Sequence, residues 1–235
     1  MVDETLTPWF DDPEEQRVYE EFCATQERGP ESFDLDRPAL VCRWRMHDKH
    51  VPLLNRHIRA LSQRIVGSGP LSHNMLSWAK QHVEWSLAEG GYVDRDGVLM
   101  LVIDVNGNAA MTVGPYEPLP DTSPEALSSR ARIAWEEGRS TGVAPESLCA
   151  VDDGRLLVAA GGHACGCVTL VEQLAATRGR DVRRVALDDL ADSTLPCFLV
   201  SDEHGVVLPD AARGDGEGDA DLARFLAQGV SKLFS

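Results

Sequence analysis

Asp153-Gly154-Arg155-Leu156-Leu157-Val158-Ala159-Ala160-Gly161-Gly162-His163-Ala164-Cys165-Gly166-Cys167-Val168-Thr169-Leu170-Val171 is the stretch whose reading decides the fold. Asp153-Gly154 is a hairpin signal between the apolar runs Leu148–Val151 and Arg155–Ala159. The second run passes through a glycine-rich loop, 161–167, into a helix over 168–177 that Gly179 closes. Strands at about 182–187 and 196–201 follow, then a turn at Asp202–Gly205 and a short strand, Val206–Leu208. Residues 210–220 are acidic and glycine-rich and read as a loop. A last helix over about 219–233 carries Leu222, Phe225, Leu226 and Val230 inward.

The upstream half has the same mixture. Asp12-Pro13 opens a helix near 13–26 that ends before Gly29-Pro30. Residues 38–46 read as a strand. Val51, Leu54, Ile58, Leu61 and Ile65 recur at helical spacing over 51–66, up to Gly67. A helix over about 71–89 ends at Gly90-Gly91. Met75, Trp78 and Trp85 lie on it at core-packing spacing. The apolar runs 98–105 and 108–113 flank Asn106-Gly107, a second hairpin. Three prolines between 114 and 122 mark a linker, and Ser123-Pro124 opens a helix that Gly138 is expected to end. The expected organisation is an acidic N-terminal helical extension (1–34), a smaller α+β domain (35–116), a linker (117–123) and a larger α/β domain (124–235). A cleft between two such units is where small-molecule sites usually form.

The chain has 235 residues, a net charge of −16 and 43% hydrophobic residues, enough for a real core. Such acidity argues against a nucleic-acid backbone and against anionic membrane as partners. No apolar run approaches membrane-spanning length, and Met1-Val2-Asp3-Glu4 lacks a secretory pattern, so a cytoplasmic location is expected. The six cysteines are too sparse for a disulfide framework. Lysine occurs only at 49, 80 and 232.

The loop entering the helix is the leading candidate site. Backbone amides of Gly166, Cys167, Val168 and Thr169 at a helix start attract phosphate or carboxylate, although an ordinary tight connection has the same pattern. His163, Cys165 and Cys167 are the candidate reactive groups, since a helix dipole lowers a thiol pKa. Cys-x-Cys without a second pair is a poor metal signal, and no metal is expected. His47-Asp48-Lys49-His50 has metal-like spacing but also reads as a polar turn. Arg59 and Arg64, beside Arg56 and His57, form either a solvated basic face or an anion grip. The Gly-x-x-x-x-Gly-Lys, Gly-x-Ser-x-Gly and His-Glu-x-x-His motifs are absent from the sequence.

The order of these pieces resembles class IV aminotransferases, the pyridoxal-phosphate (PLP) family that includes aminodeoxychorismate lyase and the branched-chain and D-amino-acid aminotransferases. Four stretches carry the likeness: Asp153–Val158, Ala164–Thr169, Leu174–Leu190 and Phe198–Pro209. Pro52–Leu61 and Gly142–Leu148 are similar to two further family segments, and the likeness covers most of 35–235. It implies a two-domain class IV aminotransferase-like α+β fold, trimmed, and a homodimer. It places the Schiff-base lysine near Asp121–Ser123, where none stands, and the phosphate-binding arginine and threonine at Ala60 and Val168, with Thr169 adjacent. The strand pair carrying the glutamate that holds the pyridine nitrogen is missing between Val151 and Asp153. PLP needs an amine for its internal aldimine, so PLP binding is not expected. The expectation is a pseudoenzyme: a non-catalytic subunit that binds a small anionic metabolite or a partner. The alternative is an enzyme reusing the cleft for PLP-independent chemistry on such a metabolite.

Overall fold

A computed structural model describes residues 12–27, 37–67, 69–89, 92, 94–210 and 218–235. The helix stops expected at Gly29-Pro30 and Gly90-Gly91, the first residues of the acidic extension and most of the 210–220 loop lie outside the described residues.

After helix α1 (Pro13–Glu27), strand β1 (Pro38–Met46) alternates strictly. Leu40, Cys42, Trp44 and Met46 point inward, while Val41, Arg43 and Arg45 face the other way. β1 pairs antiparallel with β4 (Gly97–Asp104), which pairs antiparallel with β5 (Ala109–Gly114). Asp104 shapes the β4–β5 turn, its Oδ1 accepting from the N–H groups of Asn106 and Asn108. The buried face of this sheet packs on α3 (His73–Ala88), which Ser72 caps. Met75, Trp78, Ala79, Val83 and Leu87 are buried at helical spacing, and each large side chain contributes about 2 kcal/mol on burial.

Between β1 and α3 lies α2 (Leu54–Leu61), shorter than its sequence pattern. Its continuation forms a small antiparallel pair, β2 (Ile65–Val66) with β3 (Gly69–Pro70), which the helical spacing of Ile65 hid.

The second half is a five-stranded sheet in the order β10-β9-β6-β7-β8. Its strands are β6 (Glu146–Asp152), β7 (Arg155–Ala160), β8 (Val182–Ala186), β9 (Phe198–Ser201) and β10 (Gly205–Val207). Only β7 and β8 run parallel, and α5 (Gly166–Thr177) connects them. Central β6 is buried from Glu146 to Val151 because helices cover both faces. Leu148 and Ala150 pack among residues of α4 (Pro124–Thr141) and α6 (Leu187–Ala191). Cys149 and Val151 pack among residues of α5 and α7 (Asp219–Ser231). A 3₁₀ turn, Lys232–Phe234, ends the chain.

α4 runs past Gly138, which is buried in its interior, and ends at Gly142. Gly142 takes the left-handed φ of +87°, and a Cβ there would stand 2.5 Å from the Gln63 carbonyl oxygen. The stop therefore sits where the helix end meets the segment after α2. Helices packed on a mixed sheet and on a three-stranded antiparallel sheet make this an α+β fold.

Candidate functional site

The start of α5 is reached by β7, whose last residue leads into the 161–165 loop. Gly166 is required there by a close approach. A Cβ at this position would lie 2.5 Å from His57 Nδ1 and 3.2 Å from the His57 backbone nitrogen. The glycine thus admits α2, one helix against another. Gly166, Cys167 and Val168 are all buried.

The charge at this helix start comes from Asp202, in the turn between β9 and β10. Its Oδ1 accepts the Cys167 N–H at 2.7 Å. Its Oδ2 lies 3.2 Å from His57 Nδ1, off the line of a straight hydrogen bond, so that contact is electrostatic and not directional. Its main-chain carbonyl accepts from Arg45 N at 3.1 Å. The His57 ring is 2% exposed and stacks on Trp44 with centroids 5.1 Å apart. Burial alone would raise the Asp202 pKa. The facing His57 ring and the hydrogen bonds from the Cys167 N–H and the Cys165 thiol outweigh it and hold the carboxyl below its ordinary range.

Cys165 and Cys167 lie inside, and their thiols are pushed well up, first by burial and then by the Asp202 charge. The expectation of a dipole-lowered thiolate is therefore corrected: desolvation and a neighbouring carboxylate exceed the helix field. His163 is exposed, and its backbone N–H donates to the Gly142 carbonyl at 2.9 Å. Thr169 Oγ1 donates to the Gly166 carbonyl at 2.7 Å and accepts from Arg56 at 3.0 Å.

The two arginines expected to grip an anion do not meet at the α5 start. Arg59 is exposed. Arg64 is buried and donates to Glu137 at 3.1 Å and Thr141 at 2.9 Å, fastening the end of α4. Sequence reasoning missed Asp202, which reads only as a turn residue, and it read its partner His57 as part of a basic face.

At 121–123, Asp121 Oδ1 accepts the Ser123 N–H at 2.8 Å, and Ser123 caps α4. β6 and β7 join through Asp153-Gly154 alone, and both N–H groups of that turn donate to the Asp219 carboxylate. A 330 Å³ cleft lies between β1, α4 and the ends of β6 and β9. Its arginines are paired within the protein: Arg130 makes two bonds to Glu146, and Arg43 lies 3.6 Å from Glu203. Among the described residues, no group of three or more His, Cys, Asp or Glu is placed to hold a metal. No described helix is long and apolar enough to cross a membrane.

No protein-family model and no curated protein matches the sequence. Solved structures do. A proposed 4-amino-4-deoxychorismate lyase is similar with a TM-score of 0.54 at 20% identity, covering 84% of this chain and 93% of that one. A second, from Legionella pneumophila, has a TM-score of 0.53 at 11% identity over 84% and 95% of the two chains. A hypothetical aminotransferase from Mycobacterium tuberculosis in its PLP-bound form has a TM-score of 0.51 at 12% identity over 98% and 96%. At these identities the likeness is one of fold.

Proposed function

We propose that this chain is an aminotransferase-like scaffold without covalent pyridoxal chemistry, serving as a small-anion-binding or partner subunit. The observation that carries the reading is Asp202. Its carboxylate already occupies the Cys167 N–H at the helix start where the resemblance places the cofactor's phosphate. A phosphate brought there would face a buried anion of like charge. The amine is also wanting: Lys49 lies in the turn after β1, Lys80 on α3 and Lys232 in the terminal 3₁₀ turn, while 121–123 cap a helix. The residues present do not fit pyridoxal phosphate.

The enzyme alternative requires an ionisable nucleophile within reach of a substrate. Cys165 and Cys167 are buried with raised pKa values, and the His163 side chain has no partner among the described residues. The test is to incubate the full chain with PLP, record its visible spectrum and treat with borohydride before mass analysis. The expected result is the spectrum of the free aldehyde and no added mass. A yellow protein with a reduced adduct on Lys49 or Lys80 would overturn the reading.

A further inference from the structure

We propose that Tyr116, in the stretch that joins β5 to α4, is a latch that closes on neutral His204 and lets go when that imidazole gains a proton. Residues 115–122 depend on such a contact. Pro115, Pro118 and Pro120 have no N–H to donate, and among the described residues no main-chain hydrogen bond ties this stretch to the rest of the chain. It is held by side chains. Leu119 packs on the apolar cluster of α4 and α6. Tyr116 lies against two basic residues from different sheets. The Arg45 guanidinium, on β1, stands 3.1 Å from the Tyr116 ring centre. The His204 ring, in the turn between β9 and β10, lies 5.8 Å from it at a tilt of 55°. Phe234 flanks the same guanidinium at 5.5 Å.

The surroundings of His204 suit a neutral ring. Its side chain is 4% exposed, its Nδ1 is buried with no hydrogen-bond partner, and its Nε2 lies 3.8 Å from the Glu203 carboxylate. The charges facing it are Glu203 from its own turn, Glu146 from β6, Arg130 from α4 and Arg45 from β1. Both carboxylates are already engaged: Glu203 lies 3.6 Å from Arg43, and Glu146 accepts two bonds from Arg130. Arg45 has no ion-pair partner among the described residues. A proton on His204 would therefore add a buried cation beside an uncancelled one.

The sign of the response follows. Burial, the largest effect, keeps the His204 pKa below the ordinary imidazole value of about 6.5; Glu203 and Glu146 oppose it, while Arg130 and Arg45 act with it. The closed form thus binds fewer protons than a form whose ring is hydrated. The open population rises as pH falls below the ordinary value, by up to about tenfold per pH unit. Hydrating the ring means moving Tyr116, which is half-buried and makes no hydrogen bond among the described residues. Release bares the Arg45 guanidinium and frees the connection between the two sheets.

The test is fluorine NMR of the full chain labelled with 3-fluorotyrosine. The sequence has three tyrosines, and Tyr116→Phe assigns the signal. Proton–carbon NMR follows the His204 ring over about pH 5–7. The Tyr116 signal should move toward that of free fluorotyrosine in the same step in which His204 titrates. His204→Gln should erase the step. Tyr116→Ala should bring the His204 pKa up toward its ordinary value, because the ring is then hydrated without any opening. Circular dichroism checks the fold of both variants; should His204→Gln not fold, the parent titration and Tyr116→Ala decide alone. A Tyr116 signal constant over the range, a step that survives His204→Gln, or a His204 pKa that Tyr116→Ala leaves unchanged would overturn the proposal.

Discussion

Replacing Asp202 by alanine removes one buried carboxylate and two of the three tethers made by that residue. The Cys167 N–H would become a buried donor without an acceptor, at a cost of about 1–3 kcal/mol. Where the His57 ring carries a proton, removing the carboxylate that faces it costs roughly 3–5 kcal/mol. The two costs overlap, so a loss of about 4 kcal/mol is expected, a large share of the roughly 5–15 kcal/mol that holds a typical domain. Asp202→Asn keeps the shape and an acceptor oxygen, and should lose only about 1–2 kcal/mol.

Urea unfolding reads both values, provided the slope is unchanged. Sodium formate, compared with chloride at equal ionic strength, should stabilise the alanine variant and not the parent, because the helix start still attracts an anion. The pH dependence has a definite sign. The folded Asp202 pKa lies below the unfolded value of about 3.9, so the unfolded chain binds more protons in that window. Its contribution is complete above about pH 5 and is lost as pH falls through the depressed folded value. The gap between the parent and the asparagine variant should therefore close in acid. An alanine variant within about 1 kcal/mol of the parent, or a gap that is flat with pH, would refute the reasoning.

Gly166→Ala should destabilise the protein by about 1–3 kcal/mol, measured as a fall in Tm, because the new methyl group meets His57 and its backbone. Thiol labelling of the native protein should modify Cys23 first and leave Cys165 and Cys167 unreacted until denaturant is added. Rapid native labelling at either would contradict their burial.

Much of the fold was legible because it is local. The strand over 38–46 alternates as its period requires, and its observed bounds are those of the pattern. Asp153-Gly154 closes a two-residue hairpin, as such a pair should. What was not legible depends on tertiary contact. α6 has five residues, too few to display a period. Gly138 and Gly142 are both plausible helix ends in sequence, and only the approach of Gln63 to Gly142 distinguishes them. The site divides the same way. Gly166 was readable as a place of close approach; that its visitor is His57 was not. The thiols beside it were assigned the helix dipole, a local field, while burial by distant segments decides their state.

The position of Asp202 has a mechanical consequence. Its carbonyl holds a strand of the first sheet, one carboxylate oxygen holds a helix start on the second, and the other faces the helix in between. A hinge needs at least one side free to rotate. Here a single residue is hydrogen-bonded on two sides and faces a buried ring on the third, so any motion that parted the two sheets would first have to expel a buried charge.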